Sequence, residues 1–164
     1  MFYLEDLTEG DQFISERYSI TEEKIIAFAE EYDPQPFHLS DELAQESFFE
    51  GLAASGWQVG SITMRLLAKS LHIASGVIGG GVTLRWLSPT RPGDILHVVT
   101  EIKEVIPSKS KPDRGIVKIE ANTINQHNDV RQFFESNLLV FRRSSGFRGG
   151  IFEPKDQIIN SQTK

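Results

Sequence analysis

One segment, residues 53–75, limits what this chain can fold into more than any other part of the sequence. Its apolar residues do not alternate as those of a strand do, and they fall on more than one side of a helix: Trp57, Ile62, Met64, Leu66, Leu67, Leu71 and Ile73. We therefore predict a long buried helix here, with Gly76 as its C-terminal cap. Gly56 and Gly60 lie four residues apart, so they share a face on which the helix backbone can closely approach a sheet.

The sequence after this helix changes to a strand pattern. Segments rich in Val, Ile, Leu, Phe and Thr occupy residues 82–87, 95–105, 115–126 and 130–142. Turn residues such as Pro, Gly and Asn separate them, so the connections are short. Successive strands with short connections form an antiparallel sheet, and the helix must bury its apolar surface against one face of it. The pattern predicts an α+β fold.

The part of the chain before the long helix is predicted to contain shorter elements. Residues 13–20 read as short extended segments. Thr21 has the features of an N-cap for a helix that runs to about Tyr32, with acidic residues in its first turn. Ser40 is predicted to cap a second, shorter helix that ends near Phe48.

Between these two helices lies the sequence Asp-Pro-Gln-Pro-Phe-His, residues 33–38. Proline removes an N–H donor and biases the preceding residue towards extended geometry, so Asp33 and His38 cannot share one regular helix. We predict a stiffened loop that holds a carboxylate and an imidazole in a fixed mutual position. Such a pair can bind one water molecule and move protons to and from it near neutral pH.

The start of the long helix, Ser55-Gly56, is the second candidate feature. Its unpaired N–H groups and positive dipole suit a carbonyl oxygen that becomes negative during a reaction. We predict that Ser55 is mainly the N-cap of this helix, with a hydrogen bond to substrate or water as the alternative. A nucleophilic role is disfavoured, because the surrounding sequence lacks a Gly-x-Ser-x-Gly elbow.

The motif at residues 33–38, with Ala44 six positions later and a glycine at the start of the next helix, resembles the hydratase motif of the MaoC-like dehydratases. That family includes the (R)-specific enoyl-CoA hydratases. The passage Leu-Arg-Trp-Leu-Ser-Pro-Thr-Arg-Pro-Gly-Asp, residues 84–94, is similar to the strand and turn that follow the central helix in the same family. The chain departs from the family pattern at Glu31-Tyr32, Gln35 and Ser55, where Ser-Gly, Asn and His are common.

The resemblance implies a hot-dog fold, in which a long central helix is wrapped by an antiparallel β-sheet. It covers roughly residues 8–143, so we expect one MaoC-like hot-dog domain over residues 1–143 and a loosely attached tail over residues 144–164. It also implies a homodimer or higher homo-oligomer in which two sheets join and the ligand lies at the dimer interface.

The same resemblance implies an enzyme of the hydro-lyase class, which adds water to, or removes it from, the 2,3-bond of an acyl thioester. Asp33 and His38 are then the catalytic residues, although the sequence does not say which of them is the base. The Gly56 N–H and Ser55 would contact the substrate, which is an acyl-CoA or acyl-carrier thioester, and no metal or redox cofactor is needed. The alternatives are thioester hydrolysis on the same fold and a non-catalytic acyl-CoA or acyl-carrier binding subunit.

Composition limits the partners further. The net charge of −6 argues against a nucleic-acid binder. The chain has no cysteine, which excludes disulfides, thiolate metal sites and a cysteine nucleophile. Its apolar runs are too short to cross a bilayer, and its acidic start lacks the basic region of a secretion signal, so we expect a cytoplasmic protein with no membrane partner.

Other polar residues carry weaker predictions. The glycines at 79–81 lack the residues of a phosphate loop and are interpreted as a flexible strand entry. The scattered residues His72, His97 and His127 do not suggest a metal site. Several cations have two open interpretations, as contacts to ligand phosphates or as solvated charges: Arg65, Lys69, Arg85, Arg91, Arg142 and Arg143.

Overall fold

The structure is a computed structural model that describes residues 1–147. Its helices are α1 (Glu22–Tyr32), α2 (Pro36–Leu39), α3 (Asp41–Gln45) and α4 (Gly56–Ser70). Its strands are β1 (Gln12–Ile14), β2 (Tyr18–Ser19), β3 (Ile78–Trp86), β4 (Ile95–Pro107), β5 (Arg114–Ile124) and β6 (Val130–Phe141). None of the helices in this part of the chain is both long and apolar enough to cross a bilayer.

The predicted helix on an antiparallel sheet is what the structure contains. The strands pair antiparallel in the order β1-β4-β5-β6-β3, and β2 pairs with β4. Alternate residues of β5 are buried, as the strand pattern predicts: Gly115, Val117, Ile119, Ala121 and Thr123. The buried face of α4, including Ile62, Leu66 and Leu67, belongs to the same hydrophobic core as Val117, Ile119 and Ala121.

The structure corrects two predicted helix ends. The prediction that α4 reaches about Ser75, with Gly76 as its cap, is wrong: the helix ends at Ser70 and Leu71 is its C-cap. It stops early because the next residues bond to the N-terminal segment, where Phe2 bridges Ile73. The helix that Ser40 caps, α3, ends at Gln45 rather than near Phe48, because the chain turns at residues 46–51.

The interpretation of residues 33–38 as a loop is wrong in part. Pro36 is the first residue of α2, and His38 lies in that helical turn. Proline is tolerated at this position because the N–H that it lacks has no partner within a helix. Asp33 nevertheless lies outside α2, so the two residues do not share one helix.

The Gly79-Gly80-Gly81 sequence lies within β3 and does not form a flexible entry to it. The pairing of β3 with β6 shifts between Gly79 and Val82, and Ser136 Oγ donates to the Gly81 carbonyl (2.7 Å), which holds the irregular part of the strand in place. In the predicted tail, Phe147 stacks on Phe141 with ring centroids 4.4 Å apart. Residues 148–164 lie outside the described residues, and the division into domain and tail stays a prediction.

Candidate active site

Two short helices deliver the acid and the imidazole to one place. Helix α1 ends at Tyr32, and the Asp33 N–H donates to the Ala29 carbonyl (3.0 Å) as the chain leaves the helix. Pro36 then begins α2, which places His38 two residues further on. His38 Nε2 lies 3.5 Å from Asp33 Oδ2. The predicted proximity of the two side chains is present in the structure.

The Asp33 carboxylate is held by two neutral donors. Ser55 Oγ donates to Oδ2 (2.6 Å) and Gln35 Nε2 donates to Oδ1 (2.8 Å). Burial raises the pKa of Asp33, but these two hydrogen bonds and the nearby His38 together outweigh it, so the net pKa lies below the ordinary value. Asp33 is therefore ionised at neutral pH.

His38 is oriented by a backbone carbonyl. The ring is buried, and Nδ1 lies 2.7 Å from the Ala53 oxygen. A carbonyl can only accept a hydrogen bond, so we assign the proton of the neutral ring to Nδ1. Nε2 then faces Asp33 as a second acceptor. One water molecule in front of the two side chains has a hydrogen to donate to each of them.

Ser55 has the predicted position and an additional contact. It is fully buried and caps α4, because its Oγ accepts a hydrogen bond from the Trp57 N–H (3.2 Å). The same hydroxyl donates to Asp33, so the carboxylate is connected directly to the start of α4. The sequence did not indicate this contact, since Ser55 and Asp33 are 22 residues apart.

Gly56 lies against Trp86. Trp86 Nε1 donates to the Gly56 carbonyl (2.9 Å), and a Cβ added at Gly56 would lie 2.5 Å from the indole ring. Glycine is required here because the two groups are so close. As the first residue of α4, Gly56 has an N–H without a partner inside the helix.

A cavity of about 480 Å³ joins these residues. Asp33, His38 and Gly56 line it, whereas Ser55 lies behind its wall. The rest of the lining is largely apolar and aromatic: Phe37, Phe48, Phe49, Ala54, Trp57, Val59, Trp86, Leu87 and Pro89. A mainly apolar cavity with a few convergent polar groups is typical of a small-molecule site.

Sequence reasoning missed the polar residues that hold Trp86. Gln132 Oε1 accepts a second hydrogen bond from Trp86 Nε1 (2.9 Å), and its amide nitrogen donates to Thr63 Oγ1 (2.9 Å). The Thr63 and Thr123 hydroxyls lie 2.5 Å apart. The available signal was a polar residue at an inward-facing position of a strand, since Gln132 and Thr123 are both fully buried.

All six candidate phosphate-binding cations lie outside the cavity lining. Arg65 lies over the Tyr18 ring, and Arg85 over Phe133. Others pair elsewhere on the molecule, namely Lys69 with Glu16, Arg142 with the Pro112 carbonyl and Arg143 with Asp6. Among residues 1–147, no group of three His, Asp or Glu side chains is placed to hold a metal ion.

Comparison with known proteins places the chain in a family. Residues 7–125 match the model of the MaoC like domain. The chain belongs to the MaoC-like dehydratase family. It is 51% identical to the MaoC-like dehydratase from Rhodospirillum rubrum, whose crystal structure superposes with a TM-score of 0.86 over 87% of this chain and 99% of that one. The predicted hot-dog fold is confirmed by this likeness.

Two further relatives carry names that describe activities. A 3-hydroxybutyryl-CoA dehydratase from Methylorubrum extorquens is 30% identical over 112 residues, which are 68% of this chain and 70% of the relative. The R-hydratase PhaJ1 from Pseudomonas aeruginosa is 25% identical, with a TM-score of 0.69 over 85% of this chain and 86% of that one.

Proposed function

We propose that this MaoC-like protein is a hydro-lyase that adds water to, or removes it from, the 2,3-bond of an acyl thioester. The observation that carries the proposal is the pair of acceptors, Asp33 Oδ2 and His38 Nε2, 3.5 Å apart on the wall of a largely apolar cavity. They can hold one water molecule beside an apolar substrate, and the names of the Methylorubrum extorquens and Pseudomonas aeruginosa relatives describe the same class of reaction.

In the hydration direction, one of the two residues takes a proton from the water as its oxygen forms a bond to C3 of the enoyl group. The electron pair of the 2,3-double bond moves towards the thioester carbonyl, which gains enolate character. The proton taken from the water passes between Asp33 and His38, and the second residue delivers it to C2. Asp33 Oδ2 and His38 Nε2 are then unprotonated again, as at the start. Water has been added, and no other reactant is consumed.

The thioester oxygen is assigned to the start of α4. Negative charge develops on this oxygen during the reaction, and the Gly56 N–H and the helix dipole stabilise charge of that sign. Ser55 acts one step back in this proposal, because it is buried behind the cavity wall and holds Asp33. This proposed role replaces the contact with substrate that the resemblance implied for Ser55.

The proposed substrate is an acyl-CoA or acyl-carrier thioester, and the proposed assembly is a homodimer. Strand β3 lies at one end of the sheet order, and eight of its nine residues are exposed, including Ile78, Val82 and Trp86. A second copy that pairs along this edge would cover them. Light scattering checks the mass, and a monomer at micromolar concentration would contradict the assembly. A cytoplasmic location stays a prediction.

The test is loss of the ultraviolet absorbance of the conjugated thioester when the protein meets crotonyl-CoA and a longer 2-enoyl-CoA. We expect Asp33→Asn and His38→Ala to lower the rate by about 10²–10⁴-fold, the usual contribution of a positioned acid or base. His97→Ala is the matched control, because this histidine lies on β4 outside the cavity lining.

The alternatives give other results in the same experiment. Release of free thiol would indicate thioester hydrolysis, since hydration leaves the thioester intact. Binding of the thioesters without turnover, unaffected by either substitution, would indicate a non-catalytic binding subunit and contradict the proposal.

A further inference from the structure

Arg91, in the connection between β3 and β4, contacts a distant segment of backbone. Its Nη1 donates to the carbonyls of Gly51 (2.5 Å) and Leu52 (3.1 Å), and its Nη2 donates to the carbonyl of Phe49. These three carbonyls are about 40 residues away in the sequence. The guanidinium therefore fixes residues 49–52, although the sequence left phosphate binding open for it.

The residues that follow this segment along the chain form hydrogen bonds to both proposed catalytic residues. We refer to residues 49–55 as the strap. The Ala53 carbonyl of the strap bonds His38 Nδ1 (2.7 Å), and the Ser55 hydroxyl donates to Asp33 (2.6 Å). A displacement of the strap would change the direction of both side chains at once.

The strap has a conformation that needs external support. Glu50 has a φ of 52° and Gly51 a φ of 142°, both in the left-handed region that side chains disfavour. Such a conformation persists when its surroundings fix it. Asp41 Oδ1 also accepts a hydrogen bond from the Leu52 N–H (2.8 Å), so a second side chain holds the strap.

We propose that Arg91 is a positioning residue that orients Asp33 and His38 through the strap and does not bind a ligand phosphate. The proposal rests on the proposed function, since it deepens the account of the same site. A planar guanidinium can donate to three carbonyls in fixed directions, whereas the ammonium of lysine cannot reproduce that geometry. The charge of Arg91 matters less than its shape.

The test compares Arg91→Ala and Arg91→Lys with two substrates, crotonyl-CoA and the crotonyl thioester of N-acetylcysteamine, which has no phosphate. We expect both variants to lose about 100-fold in kcat, the scale of a 1 Å misplacement, and by the same factor with either substrate. A raised KM confined to the CoA ester, with near-normal activity in Arg91→Lys, would indicate phosphate binding and overturn the proposal.

Added methylguanidine provides a rescue experiment. It should restore part of the activity of Arg91→Ala in a saturable manner, because it can donate to the same carbonyls, and methylammonium should not. The control is Arg114→Ala, at the opposite end of β5 from Thr123, where the guanidinium pairs with Asp113. Rescue by methylammonium as well, or an equal response of the control variant, would contradict the role of guanidinium shape.

A second readout does not depend on turnover. In ¹⁵N-labelled protein, the imidazole of His38 should show Nδ1 protonated in the wild type and a mixture of tautomers in both Arg91 variants. An unchanged tautomer in a folded Arg91→Lys protein would overturn the proposal. If the wild type hydrates none of the enoyl thioesters, the proposed function fails while this measurement still decides the role of Arg91.

Discussion

Two carboxylates near the cavity are held in opposite ways. Asp94 is 4% exposed and accepts hydrogen bonds from Arg131 Nε (3.1 Å), the amide of Asn125 (3.1 Å) and the N–H of Arg91 (3.0 Å). A permanent cation therefore balances its charge. Asp33, at 16% side-chain exposure, has neutral donors, and its nearest ionisable neighbour is an imidazole, a group that can gain or lose a proton.

The difference separates an acid that fixes the fold from one that can take part in chemistry. A guanidinium carries a permanent positive charge, so the countercharge beside Asp94 is fixed. The charge around Asp33 changes whenever His38 changes its protonation state. Near one cavity, the kind of partner thus distinguishes a structural carboxylate from the one that we propose is catalytic.

The largest effect expected from breaking this comparison is on stability. Asp94→Asn removes the buried countercharge of Arg131, whose own side chain is only 13% exposed. We therefore expect a loss of about 3–5 kcal/mol in the free energy of unfolding. Urea denaturation measures it. The control is Asp129→Asn: Asp129 lies 3.8 Å from the same Arg131 but is 56% exposed, which predicts less than about 1 kcal/mol. Equal losses in the two variants would contradict the distinction.

A smaller effect is expected at the start of α4, beside the Asp33 region. In Gly56→Ala the new methyl would meet the Trp86 ring at 2.5 Å, and the displaced indole would lose its hydrogen bonds to the Gly56 carbonyl and to Gln132. We expect the free energy of unfolding to fall by about 1–3 kcal/mol and the activity to fall with it. The control is Gly60→Ala, one turn later, where the nearest atom is 3.5 Å away. We expect that variant to be unchanged or more stable by about 0.5–1 kcal/mol. Urea denaturation measures both variants, and a greater loss of stability in Gly60→Ala than in Gly56→Ala would contradict the prediction.

The smallest effect sharpens the account of Asp33 itself. The pKa of Asp33 is lower in the folded chain, so its ionised form adds stability that is fully present above the unfolded value of about 3.9 and is lost as the pH falls through the folded value. Ser55→Ala removes a donor that lowers this pKa. At neutral pH it should cost about 1 kcal/mol for the lost helix cap together with the lost hydrogen bond to the Asp33 carboxylate, and only the second contribution should disappear at acid pH.

The measurement is the difference in unfolding free energy between wild type and Ser55→Ala, followed from pH 7 downwards. Ser61→Ala is the matched control, because the Ser61 hydroxyl donates to the Trp57 carbonyl on the exposed side of the same helix. Its effect should not depend on pH. A difference at Ser55 that stays constant down to acid pH would contradict the assigned role of its hydroxyl.

The parts of the molecule that the sequence predicted are those governed by local rules. Thr21 caps α1, Ser55 caps α4, and β4, β5 and β6 have nearly the predicted bounds, because capping and alternation act over a few residues. The proximity of Asp33 and His38 was predictable for the same reason, since a short proline-containing segment cannot separate them widely. The helical turn at His38 was missed because proline both stops one helix and starts the next.

Contacts set by the sheet register were beyond sequence reasoning. Trp86 pairs with Gln132 across β3 and β6, and this pairing places Trp86 beside Gly56 while its indole N–H also reaches Gln132. A shift of one residue would turn both to the other face, and nothing local to either residue fixes the register. The contact of Arg91 with the strap was not predictable for a similar reason, because the sequence does not say in which direction a connection between two strands points.

The two hydrogen-bonding groups that complete the site, the Ala53 carbonyl and the Gly56 N–H, belong to the main chain. A codon change can remove Asp33 or His38 in one step, but almost any residue at position 53 would still carry the same carbonyl. A mutational scan would therefore score position 53 for side-chain size and position 56 for closeness to Trp86. Substitutions accumulated in the strap during evolution therefore leave the tautomer of His38 unchanged, as long as the backbone of the strap keeps its path.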